Sequence, residues 1–213
     1  SCLRANKYRF NYGRQANRTL KELLIPAKSE IPTWVYEEDI SKFDNANKSF
    51  SNEQTGIIDI KTWARFKLDV LFDLKKGKRL TKANMIDGEI PFIGAIDNNN
   101  GYRQFIGQKP IHTGNTITVN YNGSVAEAFY QPAPFWASDD VNVLYPKFEM
   151  NQYHALFIIA IIKLEKYRFN YGRKWHLERM NNSEIKLPVN NEKEPDFEFM
   201  ENYIKTLNYS KQI

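Results

Sequence analysis

The chain has 213 residues, 42% hydrophobic and 26% charged, which fits a soluble globular protein long enough for a real core. Its longest apolar run, the eight residues Ala155 to Ile162, is too short to span a bilayer, and no secretory segment opens the chain. A single cysteine, Cys2, excludes a disulfide framework or a Cys-rich zinc site and implies a reducing, cytoplasmic setting, while the net charge of +5 and pI near 9.1 favour a polyanionic partner.

The first landmark in chain order is Lys7-Tyr8-Arg9-Phe10-Asn11-Tyr12-Gly13-Arg14, which recurs letter for letter at Lys166 to Arg173. Eight identical residues, three of them aromatic, mark an internal repeat. The similarity extends to Leu24-Ile25-Pro26-Ala27 against Lys186-Leu187-Pro188-Val189, and to Pro32-Thr33-Trp34 against Pro195-Asp196-Phe197. Gly56 to Leu164 has no counterpart. The expected organisation is the tail of one module (1–30), a helical connector and polar linker (31–56), a complete module (57–189) and a second connector helix (190–213). Ser1 in place of an initiator Met points to a longer parent with an earlier module upstream; the competing reading is duplication of a structural corner with nothing lost.

Within this frame, Thr33 to Phe43 predicts a short helix and Asp44 to Gly56 a polar linker. Thr62 to Leu74 predicts another helix, because Trp63, Phe66, Val70 and Leu74 recur at helical intervals. Glycines from Gly77 to Gly123 then punctuate β-prone runs such as Ile90-Pro91-Phe92-Ile93 and Thr116-Ile117-Thr118-Val119, the pattern of strands and hairpins. Gln152 to Lys163 predicts an apolar helix buried against that sheet. Phe197, Met200, Ile204 and Leu207 form an apolar stripe on a last helix. The expected fold class is α+β, a mixed, mainly antiparallel sheet domain flanked by short helices.

Catalytic signatures are missing from the sequence. It has no Asn/Asp/Ser-Pro-Pro-aromatic loop, no Gly-x-Gly-x-x-Gly turn and no Gly-Lys-Ser/Thr phosphate loop. His112, His154 and His176 lack metal-ligand spacing. Glu184-Ile185-Lys186 has the Glu-x-Lys form of metal-dependent nucleases, but the upstream carboxylate would have to come from distant Asp139 or Asp140. Leu187-Pro188 follows directly, as in an ordinary strand.

Other residue groups suit DNA. Lys75, Lys76, Lys78, Arg79 and Lys82 crowd a turn fit for phosphate contacts, or for a plain solvated turn. Asn98, Asn99, Asn100, Tyr102 and Arg103 lie on a polar loop whose amides and guanidinium suit base edges; Asn-Gly is equally a turn signal. Tyr121 and Asn122 carry the same ambiguity. At the second repeat copy, Arg173, Lys174, His176 and Arg179 follow Gly172, which permits a positive φ or close approach of a partner. The alternating aromatics there also suit the core of a strand.

Thr118 to Gln131, Pro134 to Leu144, Phe169 to Trp175 and Pro195 to Ile204 resemble the recognition domains of type I restriction specificity subunits, and more closely those of BcgI-like systems. The resemblance implies two recognition domains joined by helical connectors, each reading half of a bipartite duplex target. It also implies partner methyltransferase subunits that bind S-adenosylmethionine and a restriction component in a prokaryotic cytoplasm, with no cofactor in this chain. Its short helices depart from the long connectors of type I subunits, leaving open a separate subunit or part of a fused enzyme. The alternatives are a protein-interaction module and a nuclease using Glu184 and Lys186.

Overall fold

A computed structural model describes residues 58–207. The first repeat copy, the helix expected at Thr33 to Phe43 and the linker at Asp44 to Gly56 therefore lie outside the described residues. In chain order come β1 (Ala64–Lys67), a one-turn helix α1 (Leu68–Leu71), β2 (Phe72–Lys76), β3 (Ile90–Ile93) and β4 (Tyr102–Ile106). There follow β5 (Thr116–Asn120), β6 (Ala128–Gln131), β7 (Trp136–Ala137) and β8 (Val141–Pro146). Helix α2 (Gln152–Leu164), α3 (Leu177–Asn181), β9 (Glu184–Leu187) and α4 (Phe197–Thr206) complete the described chain.

The strands form three sheets: an antiparallel four-stranded sheet ordered β2-β8-β5-β6, a three-stranded sheet β4-β3-β7, and the pair β1-β9. Only β3 and β7 run parallel. The fold is α+β and mainly antiparallel, as the alternating runs and turn residues predict. All five residues of β5 are buried, because both faces of the central sheet are covered. On one side Ile117, Val119 and Leu144 join Ile158 and Ile162 of α2 in the main core. On the other, Val141 and Val143 pack with Ile93, Phe135 and Ala137 of the second sheet. Thr118 faces that second layer, where its hydroxyl donates to Phe129 O at 3.3 Å and accepts from Gln131 Nε2 at 3.1 Å.

Helix α2 matches its prediction to within a residue. Asn151 caps it by accepting from the His154 backbone N–H at 3.0 Å, while His154 Nδ1 accepts from Asn151 N–H at 3.3 Å. Helix α4 buries Met200 and Ile204 of the expected stripe. The helix expected at Thr62 to Leu74 does not form. The segment is two strands around one helical turn, and Val70, assigned to its apolar side, is 62% exposed. Pairing of β1 with β9 and of β2 with β8 supplies long-range ladders that a local helix would forgo. Short apolar runs leave the two periods nearly indistinguishable.

Candidate nucleic-acid interface

The basic turn is held firmly. Gly77 N–H donates to Val141 O and Lys78 N–H to Ala137 O, both at 2.9 Å, and Trp136 Nε1 donates to Lys78 O at 2.9 Å. Gly77 is obligatory because a Cβ there would lie 2.1 Å from Ser138 O. The pleat of β2 separates the first two cations, since successive side chains leave opposite faces. Lys75 Nζ lies over the Tyr145 ring at 4.6 Å and Lys76 Nζ over Tyr121 at 5.1 Å. A hydrogen bond with Tyr121 raises the Lys76 pKa, with Asp139 and Asp140 adding to the effect against a smaller burial penalty. Lys78, Arg79 and Lys82 are exposed.

The polar loop between β3 and β4 holds Asn99 and Asn100 at φ 48° and 50°. Asn99 Nδ2 donates to Tyr102 O at 2.9 Å, closing the loop on itself, and Asn100 Nδ2 donates to Tyr130 O at 3.0 Å, tying the loop to β6. Asn98 and Arg103 stay exposed, and Tyr102 is half-buried against Phe105 at 6.0 Å between rings. In the loop between β5 and β6, Tyr121 N–H donates to Asp140 O at 3.1 Å and Asn122 Nδ2 to Asp140 Oδ1 at 2.8 Å. Asn122 Oδ1 is enclosed, so this side chain shapes the loop.

Folding brings three of the sequence groups together. Arg79 and Lys82 of the basic turn, Arg103 of β4 and Asn122 with Gly123 line one cleft of about 440 Å³. Asp139 and Asp140 also line it, and Asp139 Oδ2 stands 3.8 Å from Arg79 Nη1. The sequence offers these two carboxylates as distant companions of Glu184 and as part of the block Pro134 to Leu144. No signal in the sequence places them beside the basic turn, because their approach to it comes from sheet packing. A cleft lined by arginines and lysine with backbone and amide edges favours a polyanion with hydrogen-bonding edges.

The fourth group sits on the segment after α2. Glu165–Tyr167 is a 3-10 turn, and Asn170 and Arg173 close a tight loop in place of the strand weighed for these aromatics. Tyr167 and Tyr171 point outward, Phe169 inward, and Gly172 does not adopt a positive φ. His176 Nδ1 accepts from Arg179 N–H at 3.4 Å as the cap of α3, and Arg179 Nη1 donates to Lys174 O at 2.6 Å. Arg173 and Lys174 are exposed, over the rings of Phe169 at 5.4 Å and Tyr171 at 5.6 Å. Two cations near this turn are neutralised internally: Glu127 pairs with Lys163 at 3.1 Å and with Lys166. Burial pushes the Glu127 carboxyl up, but Lys166 and Lys163 outweigh it and hold it below its ordinary value.

Glu184 lies on β9, and Lys186 Nζ donates to Ile60 O at 2.8 Å. Among the described residues, no group of three or more His, Cys, Asp or Glu side chains could hold a metal ion, and no helix is long and apolar enough to cross a membrane.

Residues 60–213 match the type I restriction modification DNA specificity domain. The chain belongs to that family. It is 41% identical over 208 residues to the S.BcgI specificity subunit of a type II restriction enzyme from Heyndrickxia coagulans, covering 92% of this chain and 61% of that protein. The chain thus spans about three fifths of that relative. A type I restriction-modification S subunit from M. genitalium superposes with a TM-score of 0.54 at 19% identity, covering 80% of this chain and 46% of that one. The HsdS subunit from Thermoanaerobacter tengcongensis gives 0.52 at 14% identity, over 84% and 47%. Both likenesses show the specificity-domain fold. Residues 60–213 are therefore a DNA specificity domain of the restriction–modification kind.

Proposed function

We propose that residues 57–189 read one half of a bipartite duplex target, and that residues 190–213 form a connector toward a methyltransferase subunit that binds S-adenosylmethionine. A restriction component completes the assembly, in a prokaryotic cytoplasm, and any chemistry belongs to those partners. The observation that carries this reading is the single cleft shared by Arg79, Lys82, Arg103 and Asn122, residues from three separate segments of a family specificity domain. The basic turn holds phosphates by charge, which fixes register without reading sequence. Arg103 and Asn98 face base edges, and Asn99, Asn100 and Asn122 hold the reading loops in shape. No observation favours the nuclease or a protein-only module.

The test is a map of methylated sites in the source genome with and without this gene, joined to selection of duplexes from a randomised library by the full chain with its methyltransferase. Loss of methylation at one sequence class, matching the enriched duplexes, is the expected result. Unchanged methylation together with no enrichment at low salt would refute the reading.

A further inference from the structure

The repeat carries more identity than its own packing requires. In the described copy Phe169 is buried and stacks on Trp175 with ring centroids 4.5 Å apart. Asn170 Oδ1 accepts from the backbone N–H of Gly172 at 2.9 Å and of Arg173 at 3.1 Å, which fixes the turn. These two residues meet the demands of the fold. Tyr167 and Tyr171, by contrast, are 77% and 79% exposed, yet both recur in the other copy as Tyr8 and Tyr12.

Gly172 points the same way. A Cβ there would meet only Asn170 Oδ1, at the ordinary distance of 3.4 Å, and its φ is not positive. Among the described residues nothing requires a glycine at this position. A bare backbone is useful where another molecule approaches closely. The charges divide in a similar manner. Lys166 and Arg168 are engaged by Glu127 and Glu165, whereas no ion pair among the described residues includes Arg173 or Lys174.

If two modules read different half-sites, residues that recur in both without a packing reason in the described copy fit a partner feature that does not vary with sequence. The turn also borders the reading cleft. Gly123 lines that cleft and an adjoining one of about 340 Å³ that includes Asp97, Asn170 and Tyr171. An exposed arginine outside any ion pair among the described residues, beside exposed tyrosines and next to base-reading loops, fits the part of a duplex that does not vary with sequence. We propose that this turn is a sequence-independent anchor for the DNA sugar–phosphate backbone, and that the identical residues 7–14 serve the same task. Arg173 takes a phosphate, Tyr167 and Tyr171 pack along the sugars, and Gly172 leaves room for the strand. This rests on the DNA reading above and assigns a separate task to a separate surface.

The experiment measures affinity and salt dependence of the full chain for a library-selected duplex and for a shuffled duplex of the same composition. Arg173→Ala should weaken both by roughly tenfold, leaving their ratio unchanged. The slope of log K against log salt should fall by about one, and Arg173→Lys should restore it. Arg14→Ala should act alike, as the same residue of the other copy. Tyr171→Ala should weaken both duplexes without moving the slope or the thermal midpoint. A loss confined to the selected duplex would make Arg173 a base reader and overturn the anchor, as would an Arg14 variant with wild-type binding. Unchanged affinity with loss of the co-purifying methyltransferase would assign the turn to a protein partner and overturn it too. If wild type binds neither duplex, the DNA reading itself fails; if wild type binds and the variants match it, only the anchor fails.

Discussion

His112 is the residue whose titration the fold alters most clearly. Its ring is buried, stacks on Phe135 at 5.2 Å, and has Nδ1 2.7 Å from the Tyr145 hydroxyl, while Nε2 is enclosed without a partner. Burial, and then the Lys75 ammonium, lower its pKa from 6.5 to about 4. The folded chain therefore refuses a proton that the unfolded chain accepts between those values. The stabilisation from a neutral His112 is complete above pH 6.5, falls as the pH drops through that interval, and levels off below about 4. At about 1.4 kcal/mol per pH unit, the full loss is roughly 3 kcal/mol, an appreciable part of the 5–15 kcal/mol typical of a domain. Urea unfolding at pH 7.5 and at a series of values down to 4.5 measures it. His112→Phe keeps the ring against Phe135 and removes the titration. Other groups titrate in the same window, so the informative quantity is wild-type stability minus variant stability, which should fall steadily with pH whatever its value at pH 7.5. Parallel curves, or an imidazole that titrates near 6.5 by NMR, would refute the reasoning.

Replacing Lys75, Lys76, Lys78 and Arg79 with Gln should weaken binding to all duplexes alike and flatten its salt dependence. Four phosphate contacts would cost at most about 3.6 in slope, and the splitting of Lys75 from Lys76 predicts a smaller fall, readable by titration at several salt concentrations. Arg103→Ala should relax choice at particular bases by roughly 1–3 kcal/mol, whereas Asn99→Ala should lower the thermal midpoint with base preference kept; equal losses of Arg103→Ala on every sequence would remove it as a reader. Trp175→Ala empties a fully buried site and should cost about 3–5 kcal/mol in chemical denaturation. Gly77→Ala drives a methyl into Ser138 O and should cost about 1–3 kcal/mol by the same measurement.

Local chemistry made much of this protein legible from its sequence. The β-prone runs Ile90–Ile93 and Thr116–Asn120 became strands, and Gln152–Leu164 became the buried helix, because each states its period over its own length. The internal repeat and the family blocks were visible for the same reason, as contiguous letters. The two strands at Ala64–Lys67 and Phe72–Lys76 were not legible, since what stabilises them is pairing with partners some seventy to one hundred and twenty residues away. The candidate site divided along the same line. Cationic and amide side chains could be picked out by type, but not which of them spend their hydrogen bonds inside the protein, as Asn99 does on its own loop and Asn122 on Asp140 of a neighbouring one. Sequence determined the kinds of group available to DNA. Only the tertiary structure decided that Arg79, Lys82 and Arg103 share one cleft bracketed by Asp139 and Asp140, because such contacts arise from sheet packing across segments that carry no mark of one another.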